Sequence, residues 1–246
     1  MTRTWSRSLA GLALTAGLLA AISASPAGAA TAGRARVAVY ESPGGTGYVE
    51  HHNKVTYTSV SAQWIQPTVS CPVPGAQVDL LVGLDGFANG FYEQTGTQVK
   101  CPNGTPVYSG WAALYPKRAV VFTSTLLPGD QITASVTESS TQLGVYTTVL
   151  TDVTQGWTQG ISRFVAFPIG QSAEVTLDDP YPAGRHGPAP LADFGTAGFT
   201  NVMANGRDMI DPTRIVMVRN SGTGLKASVT ALLGHTHFST TWLNAS

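Results

Sequence analysis

The stretch VDLLVGLDGFANGFYEQTGTQV, residues 78–99, carries two strand signals separated by a turn. VDLLVGL (78–84) is almost wholly apolar, as expected of a strand covered on both faces. Asp85 and the GFANG segment after it supply turn residues. FYEQTGTQV (91–99) then resumes as a strand. Successive strand residues point to opposite faces of a sheet, so the neighbours Glu93 and Gln94 cannot serve the same surface. One of them faces whatever the other does not.

Strand signals continue on both sides of this stretch. YTSVSAQWIQ (57–66) alternates, with Val60, Ala62 and Trp64 on one side. PVYSGWAAL (106–114), AVVFTSTL (119–126), QITASVTE (131–138), GVYTTVLTDV (144–153), SRFVAFP (162–168) and SAEVTLD (172–178) follow. GTAGFTNV (195–202), RIVMVRN (214–220), KASVTALL (226–233) and HFSTTWL (237–243) complete the series. Turn signals such as PNG (102–104), PGD (128–130) and SGTG (221–224) separate them. No window shows sustained helical periodicity. Many strands with short turns indicate an all-β chain, a sandwich or barrel in a single domain. DDPYPAGRHGPAPLADFG (178–195), with prolines at 180, 182, 188 and 190, reads as a long loop able to rim a cleft.

The first residues have a different character. Arg3 and Arg7 precede an apolar run from Leu9 to Ile22 and a small-residue stretch ending Ala27-Gly28-Ala29. This is the layout of a secretory signal peptide over residues 1–29. The run is short for a membrane span, which needs about 20 residues, so export without a membrane anchor is expected. Residues 30–53 read as a loose Gly/Ala/Ser-rich lead-in or short pro-segment, and 54–246 as the folded domain. Charged residues make up 11% of the chain, against about 25% in ordinary globular proteins. Without Arg3 and Arg7 the chain is two charges negative, which gives no electrostatic case for nucleic acid or anionic membrane. A surface of Ser, Thr, Gln, Asn and Gly suits an acidic medium, where charge-rich folds come apart. The only cysteines, Cys71 and Cys101, are expected to form a disulfide in an exported chain.

Motifs for nucleophilic catalysis are absent: there is no G-x-S-x-G elbow and no spare thiol. His235 and His237, in H-T-H, could ligate a metal from one strand face, but no second ligand cluster supports this, and surface histidines are the simpler reading. The five glutamates are 41, 50, 93, 138 and 174. Glu138 ends a strand beside Ser-Ser-Thr and reads as a solvated edge. Glu93 and Glu174 lie inside strands, where a carboxyl in a concave, poorly hydrated face gains a raised pKa and can shuttle protons. The bland alternative for each is an outward-facing strand glutamate. Asp85 is by itself a turn former, and Gln94 a cross-strand hydrogen bonder.

Taken together these blocks resemble the glutamic peptidases, the eqolisins. YTSVSAQWIQPTVSC resembles the family's T-S-V-S-x-x-W-x-x-P strand. LVGLDG, with Gln94 nine residues after Asp85, resembles its W-V-G-I-D-G … L-Q-T-G block. YSGWAALYP, LPGDQITASV, SAEVTLDDP, LADFGTAGFTN and HFSTTW match further family segments in order. The resemblance implies a β-sandwich of two antiparallel sheets, of the concanavalin A or lectin-like type. It implies a secreted, bacterial-type endopeptidase active in acid, with no metal and no cofactor. It assigns a catalytic dyad to Gln94 and Glu174, and support of the substrate cleft to Asp85 and Trp111. The carboxylate takes and returns the proton, while the amide N–H stabilises the oxyanion without titrating. The expected partner is a protein or peptide substrate, bound by a monomer. Leu81, Ser109, Ala113 and Val175 depart from the family's aromatic or acidic residues.

Two rival readings remain open at this point. One is a non-catalytic module binding peptide or carbohydrate in a groove that keeps Trp111. The other is a glycoside hydrolase with Glu93 and Glu174 as paired carboxylates about 5–10 Å apart. Strand parity opposes the latter, since Glu93 faces away if Gln94 faces the cleft.

Overall fold

A computed structural model describes residues 37–87, 89–166, 169–180, 187–219 and 221–246. The signal-peptide reading of residues 1–29 lies outside them. The described residues form strands β1 (Val39–Ser42), β2 (Gly45–Glu50), β3 (Ser59–Ile65), β4 (Gln77–Asp85), β5 (Tyr92–Lys100) and β6 (Val107–Leu114). Next come β7 (Val120–Val121), β8 (Gln131–Glu138), β9 (Val145–Asp152), β10 (Trp157–Phe164) and β11 (Ala173–Asp178). The chain ends with β12 (Thr196–Ala204), β13 (Arg207–Asp208), β14 (Thr213–Val218), β15 (Leu225–Val229) and β16 (Phe238–Trp242).

These strands make a β-sandwich. One layer runs β10-β9-β8-β3-β12-β16, and β15 carries the hydrogen bonding round into the second layer, β14-β2-β11-β4-β5-β6-β7. Every pairing is antiparallel except β1 on β14. β4 packs on β8 and β3, and β5 on β9 and β8, so the two layers cover each other. Alternation decides what each face holds. Val78, Leu80, Val82 and Leu84 of β4 point into the core with Ala173, Val175 and Leu177 of β11. Opposite them come Val60, Ala62 and Trp64 of β3 and Ile132, Ala134 and Val136 of β8, all buried. Aromatic contacts link the layers: Trp64 meets Phe199 (5.7 Å between centroids), Phe199 stacks on Phe238 (4.9 Å), and Phe238 meets Tyr48 of β2 (5.0 Å).

Within the lead-in expected over residues 30–53, of which 37–53 are described, the structure places strands β1 and β2. Gly45–Glu50 is a wholly buried strand between β11 and β14. Its glycines hid it from a reading based on β-branched alternation. Gly47 is needed there because a Cβ would lie 2.3 Å from the Val175 carbonyl oxygen. Glu50, fully buried, accepts from Arg207 at 2.7 Å and from the Ile210 amide at 3.0 Å. Other boundaries shift as well. Only Val120–Val121 of the 119–126 run pairs as a strand, and Trp157–Phe164 begins before the expected 162. The H-T-H residues do not share a strand face: His235 has φ 60° in a turn closed by the Leu233–His237 bridge.

Cys71 and Cys101 are joined, with their Cα atoms 5.8 Å apart. The bridge pins the segment before β4 to the end of β5, the two strands that carry the opening stretch. The loop it closes has a sequence separation of 30, so the chain-entropy model gives roughly 3–4 kcal/mol of stabilisation. A Cys71→Ser/Cys101→Ser variant is expected to lose about 2–4 kcal/mol of unfolding free energy, read from urea denaturation followed by tryptophan fluorescence.

Candidate active site

The outer face of the second layer is concave and holds a cleft of about 920 Å³. Its floor is β5-β4-β11, with β6 at one side. Register fixes which residues meet there. Gly83 of β4 pairs with Gln94 of β5 and, on its other side, with Glu174 of β11. The two side chains reach toward each other over the glycine, and Gln94 Nε2 donates to Glu174 Oε1 at 2.7 Å. A Cβ on Gly83 would lie 2.8 Å from both Gln94 Cγ and Glu174 Oε1. Gly86, at φ 94°, would likewise place a Cβ 2.8 Å from Glu174 Oε1. The dyad therefore requires bare backbone beneath it and at its end.

Asp85 reaches the site indirectly. It is 1% exposed and does not line the cleft. Its carboxylate accepts from the Gly170 and Gln171 amides, each at 2.8 Å, and from Asn89 Nδ2 at 3.0 Å. These bonds tie the end of β4 to the segment leading into β11, and so to Glu174. Asn89 in turn accepts from the Gly86 and Phe91 amides, which fixes the turn beside the dyad. Trp111 does line the cleft. It packs with Leu81, Ala113 and Tyr92, and its indole N–H has no hydrogen-bond partner among the described residues. Two of the departures from the family pattern, Leu81 and Ala113, are cleft residues, whereas Val175 is buried in the inter-layer core.

Glu93 sits on the opposite face from Gln94. It pairs with Leu84 and Leu114, both core residues, and is 1% exposed. The bland reading of an outward strand glutamate is thus replaced by a carboxyl inside the sandwich, and a Glu93–Glu174 glycosidase pair is ruled out because the sheet lies between them. Glu138, expected at a solvated edge, is also buried and accepts from the Gly144 amide at 2.8 Å.

Burial dominates the electrostatics. It pushes the Glu174 carboxyl up to about 8; the nearby Asp178 adds to this, the Gln94 hydrogen bond opposes it, and Asp85 adds further. Glu93 is pushed up to about 8 by burial, then by Asp85 and Glu138. Asp79 and Asp178, also in the cleft, are raised to about 8 and about 7, chiefly by burial. The sequence reading passed over both, although Asp178 shares the strand parity of Glu174. Among the described residues no group of three or more His, Cys, Asp or Glu is placed to hold a metal ion.

The fold is thus an all-β sandwich with a cleft on one sheet, floored by a buried carboxyl that accepts from an amide. The comparisons give the family. Residues 44–242 match the model of the peptidase A4 family, and the chain belongs to that family, the eqolisins; it is a glutamic-type peptidase. Solved structures agree in fold. Scytalido-glutamic peptidase with a peptide-based transition-state analogue gives a TM-score of 0.69 at 21% identity, over 82% of this chain and 98% of that one. SCP-B, an eqolisin in complex with the tripeptide Ala-Ile-His, gives 0.67 at 21% over the same shares. Aspergilloglutamic peptidase from Aspergillus niger gives 0.56 at 20%, over 68% of this chain and 99% of that one. Comparison with curated protein sequences gives no match.

Two predictions follow from the geometry. Gly83→Ala is expected to separate Gln94 from Glu174 and abolish hydrolysis while leaving the melting temperature within a few degrees, checked by a protein-substrate assay and calorimetry. Glu93 concerns stability. Its folded pKa lies above the unfolded value near 4.3, so the folded state binds more protons. Its contribution is full below about pH 4 and is lost as pH rises through about 8. Glu93→Gln is expected to flatten the fall in unfolding free energy between pH 4 and 8, measured by urea titration at each pH.

Proposed function

We propose that this chain is a secreted endopeptidase in which Glu174 and Gln94 activate a water and hydrolyse peptide bonds of protein substrates. The observation that carries this is the 2.7 Å hydrogen bond between Gln94 Nε2 and Glu174 Oε1 on the cleft floor. In its charged form Glu174 takes a proton from a water held between the two side chains. The water oxygen attacks the scissile carbonyl carbon, and the developing oxyanion accepts from the Gln94 amide. Such a donor, aimed where charge develops in a poorly hydrated site, gives more than it could in bulk water. Glu174 then passes its proton to the leaving amine, and the C–N bond breaks. Asp85 acts through Glu174 and is a positioning residue; Trp111 walls the cleft. The protein works as a monomer in this reading.

Secretion rests on the layout of residues 1–29 and accords with the disulfide. Acid-side operation is part of the same proposal. Burial displaces Glu174 upward from the usual carboxylate range, so in acid it is in large part protonated and can supply the acid role. The falling limb of activity follows the loss of stability as the buried acids ionise.

The test is hydrolysis of an unfolded protein substrate, sampled from about pH 3 to 8. Glu174→Gln is expected to lower kcat by about 10²–10⁴, and Gln94→Ala by about 10²–10³. Full activity in both variants would remove the dyad from the mechanism. Peptide binding without cleavage at any pH would make the cleft a binding module instead.

A further inference from the structure

Among the lysines of the described residues, only Lys226 of β15 is buried. Its side chain and that of Asp179, the residue after β11, are both wholly excluded from solvent, and Lys226 Nζ touches Asp179 Oδ2. The hydrolytic dyad uses neither group. Both backbones are held in place. The Asp179 amide donates to the Gly44 carbonyl at 3.0 Å, and the Lys226 carbonyl accepts from the Leu243 and Asn244 amides at 2.8 and 3.0 Å. Two side chains 47 positions apart in the chain are thereby fixed against each other.

As an ion pair this contact is poorly satisfied. A buried charge pair offsets its desolvation only when further hydrogen bonds use its remaining protons and lone pairs. A charged lysine has three N–H donors to place. Besides Asp179, Lys226 Nζ reaches only the Pro43 carbonyl among the described residues, at 3.4 Å. Asp179 Oδ1 is buried and has no hydrogen-bond partner among the described residues. Burial pushes the Lys226 amine down to about 8, which favours its uncharged, nucleophilic form. An amine and a carboxylic acid held in contact are the reactants of amide formation, and exclusion of water opposes the reverse hydrolysis. The amide product keeps a single N–H, and the Pro43 carbonyl lies on that side to accept it.

We infer that Lys226 and Asp179 are joined by an isopeptide bond, an intramolecular cross-link between β15 and the end of β11. One proton passes from the ammonium to Asp179 Oδ2, which leaves an amine beside a carboxylic acid. The Nζ lone pair attacks Cγ and forms the C–N bond. The Cγ–Oδ2 bond breaks, and Oδ2 leaves as water with its own proton and a second proton from Nζ. The third proton stays on the amide nitrogen, no charge remains, and no oxidant or co-reactant is needed. The link closes a loop that contains β12, β13 and β14. It ties the strand that carries Glu174 to the strand through which hydrogen bonding passes between the layers. It stands independently of the peptide-cleaving reading.

The test is tryptic peptide mapping of the purified, reduced and alkylated protein by mass spectrometry. Trypsin cuts after Arg163, Arg185 and Arg219, and after Lys226 only where its amine is free. The main species is expected to be 164–185 joined to 220–246, lighter than the two peptides together by one water. Fragment ions should locate the link at Asp179 and Lys226. Separate 164–185, 220–226 and 227–246 as the main species overturn the inference. Asp179→Ala is expected to abolish the joined species and release 220–226. A joined species that persists in this variant puts the link at another residue and overturns the assignment. The wild-type map decides the matter even where the variant does not fold.

Discussion

The hydrogen bond between Gln94 and Glu174 crosses a strand that has nothing to put in its way. β4 lies between the strands carrying the two side chains, and its residue at that register is Gly83. Any side chain there would stand between the amide and the carboxyl. The antiparallel register of three strands thus does the work that a positioning network performs in other sites. Asp85 reinforces it at the strand end, where its carboxylate clamps the backbone leading into β11. The dyad is placed by backbone geometry on rigid elements, and little is left to side-chain rotamers.

The same sheet explains why so many acids have raised pKa values. β4, β5 and β11 are buried on the core face by the first layer and on the other face by the walls of the cleft. A carboxyl on either face is poorly hydrated, and its charged form is disfavoured. Glu93 in the core and Asp79, Asp178 and Glu174 in the cleft share that fate for different reasons of location. In the core the consequence is for stability, since ionisation works against folding. In the cleft the raised values belong to Glu174, Asp79 and Asp178, whose carboxyls line the space that a ligand would fill. Parity separates the two, which is why neighbours such as Glu93 and Gln94 have unrelated roles.

Much of this was legible from local pattern. Period-two alternation marks most strands, and the apolar run 78–84 marks a strand covered on both sides. Parity alone separates Gln94 from Glu93 once one face is chosen. The failures are instructive. Gly45–Glu50 has too little side chain to show alternation, yet it is central to the sheet because its glycines admit close neighbours. Glu138 looked solvated beside Ser and Thr, but its strand folds under a turn that takes its carboxylate as an acceptor. His235 and His237 looked like strand neighbours, but a left-handed residue between strands breaks the spacing.

The sequence by itself determined the class of element, the face each residue takes within its own strand, and the cysteine pair available to oxidise. Each depends only on neighbours in the chain or on composition. Register and strand order were decided by tertiary structure, because they come from burying distant apolar faces against each other. That packing brings residues 80 positions apart to 2.7 Å over Gly83. It also sets Asp79 opposite Asp178 and makes β2 part of the sheet. Alternation tells which way a side chain points, and only the long-range packing tells what it meets there.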